Sequence, residues 1–380
     1  MERVFDTLIV GGGVIGLSVA RELARLGVKR VGLIERGKVG REASFAAAGL
    51  LAPNVETASD PDLYRLCSES CRMFPQLSRE LIEETGFDIE LQTDGTIFAA
   101  FNDDDSARIH ARLAEMPAPD THFDYLTSGD IRKIEPNISE NVRDGIYFPD
   151  DWQVENRKLL LALEKSVSSY GVDIIEDTAV RSLTVERDRA IGVVSDRGTH
   201  AAGTVVLATG AWTSLIKIDP GLIGEMVRPI KGQMISYQRQ TREFRRVIYT
   251  RRGYLVPRMD GRLLLGATVE DAGFDLKLTP VAASEMAALA VEIAPGLAGG
   301  SVTEHWAGLR PFAIGGRPII GPVPGVNGAF LATGHFRNGI LLAPITAKML
   351  AGTIVNRVDL ATFGNFGPGP NVLGAKSTII

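Results

Sequence analysis

The chain has 380 residues, 45% hydrophobic and 23% charged, with a formal net charge of -5. That length allows two domains with substantial cores, and the acidic balance argues against nonspecific attachment to nucleic acid. Glycine or charge interrupts each apolar segment well before the roughly eighteen residues of a membrane span.

In chain order, the first feature is the apolar run Thr7-Leu8-Ile9-Val10, which feeds Gly11-Gly12-Gly13-Val14-Ile15-Gly16. A strand entering a G-x-G-x-x-G turn gives a tight bend, bare backbone against a pyrophosphate, and close packing of the next helix on the sheet. Gly11, Gly13 and Gly16 are therefore candidate phosphate-site glycines. Unpaired N-H groups at the helix start favour the anion without a lysine. Val14, Leu17, Ala20, Leu23 and Ala24 predict that helix, and Gly27 stops it. A second strand, Val31-Gly32-Leu33-Ile34, ends in Glu35, nineteen residues after Gly16, where an acid can take both hydroxyls of an adenosine ribose. Strand, turn, helix, strand and acid in this order point to dinucleotide binding. Met1 to Asp6 leaves no room for a cleavable leader ahead of the first strand.

The segment Gly40 to Pro53 is rich in glycine and alanine, which lets a flat ligand approach the backbone. Asp60 to Thr85 reads as helical and carries Cys67 and Cys71, four apart with no histidine nearby. They are too few for a metal site and poorly placed for a disulfide, so buried or idle thiols are expected, with no metal. Few cysteines fit a reducing, cytoplasmic compartment. Phe87 to Phe101 predicts strands with a turn at Asp94-Gly95, and Ser128-Gly129-Asp130 caps a short helix. Glu155 to Tyr170 is helical, Gly171 to Ile175 returns to a strand, and Thr204 to Leu207 is a buried strand ended by Ala208-Thr209-Gly210. Met226 to Thr268 alternates as antiparallel strands, with a hairpin turn at Met259-Asp260-Gly261. The fold class is mixed α/β and α+β: a Rossmann-like dinucleotide domain (1-86, 150-215, 305-380) interleaved with an antiparallel-sheet substrate domain (87-149, 216-304). A homo-oligomer is expected.

Two C-terminal segments sharpen the reading: Gly308-Leu309-Arg310-Pro311 and Gly334-His335-Phe336-Arg337-Asn338-Gly339-Ile340. Together with the three-glycine turn, Glu35-Arg36, Ser44, Ala48-Gly49-Leu50 and Ala208-Thr209-Gly210, they resemble the FAD-dependent D-amino acid oxidase superfamily, most closely its glycine oxidase (ThiO-type) branch. The resemblance spans nearly the whole chain. It implies oxidation of glycine or another small amino acid, such as sarcosine or a D-amino acid. Oxygen would then be reduced to hydrogen peroxide, and the imine hydrolysed to a 2-oxo acid and ammonia. It also suggests a role in the thiazole branch of thiamine synthesis. The alternative is a dehydrogenase that passes electrons to a quinone or carrier protein. No cysteine lies near the C-terminal flavin segment, so the FAD is expected to be noncovalent.

Carried over position by position, the flavin contacts are Val14, Ile15, Glu35, Arg36, Ala43, Ser44, Ala48, Gly49, Leu50, Val180, His335, Phe336, Arg337, Asn338, Gly339, Ile340 and Leu341. Val14 and Ile15 have a plain core reading as the alternative. Arg310 and Arg337 match substrate-contact positions, because a planar guanidinium binds a carboxylate with two charge-assisted bonds. Pairing with a structural acid is the alternative for each. Tyr254 matches the tyrosine that closes the pocket, with a core tyrosine as its alternative. No catalytic acid or base is visible or required, since hydride can leave the α-carbon of a clamped neutral amine. One departure stands out: Arg252 occupies a position that is histidine in Bacillus-type enzymes, beside Arg251 and near Arg242, Arg245 and Arg246. It is either a solvated basic strand end or part of the pocket mouth.

Overall fold

The computed structural model describes residues 4-57, 59-115, 122-217, 226-355 and 364-368. Two eight-stranded sheets carry the fold. In the first, Val4–Val10 lies at the centre, parallel to Gly198–Leu207 on one side and Val31–Ile34 on the other. Asp173–Ile175 extends one edge in parallel, and Ala329–Thr333 followed by antiparallel Ile319–Pro322 extends the other. Leu8, Ile9 and Leu33 are fully buried because helices and the second layer cover both faces of this parallel core. The helix Val14–Arg25 packs against the Gly339–Ile354 helix, with Leu17, Leu23, Leu342 and Leu350 in one apolar cluster.

Sterics make the glycine turn possible. Gly11 has φ +109, and a Cβ there would lie 2.3 Å from the Ala208 carbonyl oxygen. A Cβ on Gly16 would lie 1.9 Å from the Gly11 carbonyl oxygen, so turn and helix can close only without side chains. Cys67 and Cys71 are free and buried in the same cluster, and burial pushes both thiols well above their ordinary range.

The second sheet runs Val302–Ala313, Val227–Gln238, Arg262–Gly266, Gly253–Pro257, Val247–Thr250, Thr96–Ala100, Asp144–Phe148, Asp124–Thr127. All its joints are antiparallel except the parallel one between Val247–Thr250 and Thr96–Ala100, where two separate excursions of the chain meet. The hairpin at Met259-Asp260-Gly261 is present, with Gly261 at φ +85. The helix Pro280–Ile293 covers one face through Met286, Leu289, Ala290 and Ile293.

Three expectations need correction. The domain boundary at 305 falls inside Val302–Ala313, which pairs with Val227–Gln238 along its length and so belongs to the second sheet. Phe87 to Phe101 holds one strand, Thr96–Ala100. The cap of the short helix is Thr127, not Ser128: Thr127 Oγ1 accepts the Asp130 N-H at 3.3 Å, and the Asp130 carboxylate accepts the Thr127 N-H at 3.3 Å. Among the described residues, no helix is long and apolar enough to cross a membrane.

Gly16→Ala forces the turn and helix apart, and is expected to cost about 2 to 4 kcal/mol in urea unfolding. Gly296→Ala, where an added Cβ meets nothing within 4 Å, is the control and should stay within about 0.5 kcal/mol. Equal midpoints for the two variants would show that the turn is not sterically locked.

Candidate active site

A cavity of about 1490 Å³ runs between the two sheets, larger than the roughly 300 to 1,000 Å³ of a drug-sized pocket. At one end it is bordered by Gly11, Gly13, Val14, Ile15, Glu35, Arg36 and Val180, in the middle by Ala43, Ser44, Ala48, Gly49 and Leu50. The far end holds Tyr254, Arg310, His335, Phe336, Arg337, Asn338, Gly339 and Ile340. Val14 and Ile15 keep their side chains in the core and still border the cavity. Two expected members do not reach it. Gly16 is the third residue of its helix and packs against Gly11, and Leu341 is buried in the apolar cluster, its carbonyl accepting the Ser70 hydroxyl at 2.6 Å.

The first end suits an adenosine and its phosphates. Glu35 is buried, with Oε2 accepting the Gly12 N-H at 2.7 Å and Oε1 the Gly37 N-H at 2.9 Å. Each oxygen keeps a lone pair for a ligand hydroxyl. Helix Val14–Arg25 has no capping side chain on Gly13, although Ser44 Oγ accepts the Val14 N-H at 3.1 Å. Gly11, Gly13, Val14 and Ile15 at this helix start border the cavity, and the remaining unpaired N-H groups of a first helical turn favour an anion. Arg36 pairs with Glu42 and stacks 3.6 Å from the centroid of Trp212, a cavity residue that sequence spacing does not flag. Helix Gly339–Ile354 likewise starts at the cavity with no side-chain cap and no acid in its first turn. An uncapped helix N-terminus there can stabilise negative charge on a reduced ring. These donors and bare backbones fit a dinucleotide cofactor.

The opposite end is built around Arg310. The strand register sets Arg310 opposite Ile230 and Gly232 opposite Gly308, so the arginine lies diagonally over Gly232. A Cβ on Gly232 would be 2.2 Å from Arg310 Nη1, so only glycine leaves this space. Arg310 Nη1 donates to the Thr268 carbonyl at 3.0 Å and the Lys231 carbonyl at 3.4 Å. Among the described residues, no carboxylate lies within ion-pair distance of it. Burial pulls its pKa down, opposed by Tyr254, but a guanidinium stays charged. Burial pushes the Tyr254 hydroxyl up against the pull of Arg310, leaving it a neutral donor.

Arg337 differs. Its Nη1 lies 3.7 Å from Glu56 Oε2, an acid the sequence offers no spacing to find. The Tyr249 hydroxyl donates to Glu56 Oε1 at 2.7 Å, and its ring lies 5.7 Å from that of Tyr254. The acid-paired alternative therefore holds for Arg337 and not for Arg310. Arg252 is half exposed, pairs with Glu292 and lies at the cavity rim. Its neighbours are answered too: Arg242 by Asp94 at 3.0 Å and Arg246 by Glu135 at 3.2 Å.

A parallel-sheet dinucleotide site joined to an antiparallel sheet that presents a buried arginine defines a two-domain flavin-dependent oxidoreductase. The family model for FAD dependent oxidoreductase, DAO, matches residues 6-353. The chain belongs to this family, and FAD is its cofactor. It is 36% identical to the glycine oxidase of Pseudomonas aeruginosa, over 97% of this chain and 98% of that protein. It is 33% identical to the bifunctional protein ThiO/ThiG of Synechocystis, over 97% of this chain and 54% of that protein. The crystal structure of glycine oxidase from Geobacillus kaustophilus superposes with a TM-score of 0.89 at 30% identity, covering 97% of this chain and 99% of that one.

His335 is buried, 3.1 Å from the Thr346 hydroxyl, and burial pulls its pKa down to about 3. The fold therefore holds it neutral. Above its ordinary value of about 6.5 this costs nothing. As pH falls below that, the unfolded chain gains a proton that the fold refuses, and stability drops by up to about 1.4 kcal/mol per pH unit until about pH 3. Between pH 7.5 and 5.5 the wild type should lose roughly 1.4 kcal/mol more unfolding free energy, read by urea titration, than His335→Gln does. Parallel pH slopes would contradict this.

Proposed function

We propose that this protein oxidises glycine or another small amino acid, such as sarcosine or a D-amino acid, with Arg310 clamping the substrate carboxylate. The observation that carries the reading is a buried guanidinium without an acidic partner at the wall of the cavity. Burying an unpaired charge is costly, and a bound carboxylate relieves that cost. The likeness to glycine oxidases over nearly full length supports the same reading.

FAD, when bound, supplies the hydride acceptor. Glu35, the glycine turn and the N-termini of the helices Val14–Arg25 and Gly339–Ile354 hold it, and the small residues Ala43, Ala48 and Gly49 leave room for its flat ring. Arg310 takes the carboxylate through its two-pronged face, and the neutral Tyr254 hydroxyl donates a further hydrogen bond. That grip fixes the α-carbon, so positioning supplies much of the rate. Tyr249 and Arg337 already engage Glu56, so no general-base step is assigned to it. The amine reacts as the free base. Loss of hydride leaves an imine that hydrolyses to a 2-oxo acid and ammonium, and oxygen accepts the two electrons to give hydrogen peroxide. The likeness to ThiO/ThiG supports use of the glycine imine in thiazole synthesis. Two free, buried cysteines support a reducing, cytoplasmic setting.

Anaerobic mixing with a panel of small amines, watching the flavin bleach, identifies the substrate, and oxygen against an artificial dye identifies the acceptor. Arg310→Ala is expected to lower kcat/KM about 100-fold, roughly 3 kcal/mol. Arg310→Lys should recover part of the loss, since an ammonium lacks the fork. Retained FAD should be unchanged in both. Loss of flavin with turnover per bound FAD near wild type would make the arginine structural and end this reading.

A further inference from the structure

The carboxylate of Glu56 faces the substrate end of the cavity and has no part in the clamp. It is held firmly. Glu56 sits on the one-turn helix Pro53–Thr57, whose Asn54 and Val55 N-H groups each donate to the buried Asp151 carboxylate at 2.9 Å. The Asn54 side chain donates to Asp151 at 2.8 Å and accepts the Tyr64 hydroxyl at 3.0 Å. These bonds fix the backbone that carries Glu56, and the Tyr249 hydroxyl, donating to Oε1 at 2.7 Å, orients its carboxylate.

What Glu56 does to Arg337 is electrostatic rather than a tight lock. Their separation of 3.7 Å exceeds the roughly 2.7 to 2.9 Å of a charge-assisted hydrogen bond, and the Arg337 side chain is 37% exposed where that of Glu56 is 8% exposed. Arg337 thus keeps donors toward the cavity while its charge is offset. Among the five side chains that face one another here, Arg310 and Arg337 contribute two positive charges and Glu56 one negative, while Tyr249 and Tyr254 are neutral, so this cluster carries one uncompensated positive charge; Glu270 nearby is answered by Lys231 at 2.9 Å, and Arg112 lies behind Glu56 beside Asp151. A substrate with one carboxylate and a free-base amine cancels it. A substrate with two carboxylates would leave a buried negative charge, which a low-dielectric site disfavours strongly.

We propose that Glu56 sets the charge specificity of this site: by offsetting Arg337 it confines binding to amines with a single carboxylate, and Arg337 is a latent second carboxylate site. The proposal rests on the Arg310 clamp. It is selection by a repulsive element, in which the acid adds nothing for the accepted substrate and penalises the rejected one.

Two inert ethers test it without turnover: methoxyacetate, a monoanion shaped like sarcosine, and oxydiacetate, its dianionic counterpart. Their dissociation constants are read on the holoenzyme from the perturbed flavin spectrum at low ionic strength. The wild type should prefer methoxyacetate. Glu56→Gln should move the ratio at least about tenfold toward oxydiacetate, and adding Arg337→Met should abolish the shift. Arg337→Met alone, which leaves the Glu56 anchoring intact, should weaken oxydiacetate more than methoxyacetate. A ratio unmoved by Glu56→Gln, or a shift that survives loss of Arg337, overturns the proposal. If neither anion perturbs the wild-type flavin, the Arg310 clamp itself fails and takes this proposal with it, an outcome distinct from an unmoved ratio.

Discussion

The site depends on one buried charge. Arg310 is buried at the cavity wall, donates to two backbone carbonyls and interacts with the Tyr254 side chain, and no carboxylate among the described residues lies within ion-pair distance of it. Lys231, nearly fully buried, pairs with Glu270 at 2.9 Å and donates to the Lys277 carbonyl at 2.6 Å. Gln233 bridges Glu270 and Thr279 through Nε2, and its Oε1 accepts the Thr279 N-H at 2.9 Å. Thr268 donates to Glu270 while its carbonyl receives Arg310. The segment from Thr268 to Thr279 is thereby fastened to the strand that carries Lys231 and Gln233. Removing one member of such a network leaves the others buried and unpaired, so it resists change as a unit.

The joint between the sheets rests on a second buried arginine. Arg258, just past the strand Gly253–Pro257, is fully buried and donates to Val154 O at 2.8 Å, Ala48 O at 2.9 Å and Asn156 Oδ1 at 3.0 Å. Burial pulls its pKa down to about 10, which still leaves it charged at neutral pH. Its reach fixes the small-residue segment at Ala48 against the second sheet. Gly49 beside it, at φ +70, could carry no Cβ, which would fall 2.1 Å from the Val154 carbonyl oxygen. Cofactor wall and substrate wall are therefore set relative to each other by hydrogen bonds that neither motif contains.

Local spacing made much of this legible. The turn at Gly11 to Gly16, Glu35 at the end of the second strand, and the run from His335 to Ile340 are contiguous patterns whose geometry follows from chain stereochemistry. Arg310 was legible through its resemblance to a family, not through spacing. The missed residues are tertiary. Glu56, Tyr249 and Trp212 come from three separate segments and meet only through the packing of the sheets, and Arg258 reads in sequence as one more basic residue near a hairpin. The strand Val302–Ala313 was divided wrongly because its partner lies some seventy residues earlier, at Val227–Gln238, beyond any local signal. Leu341 continues the same run in sequence, while the helix turns its side chain into the core.

If the substrate carboxylate is what Arg310 awaits, its presence must govern reduction of the flavin. The direct measurement compares glycine with glycinamide, which keeps the amine and α-carbon but lacks the charge, in anaerobic rapid mixing with the wild-type holoenzyme at a pH above both amine pKa values. The account predicts flavin reduction by glycinamide at least about 100-fold less efficient than by glycine. Comparable efficiencies for the two would contradict it.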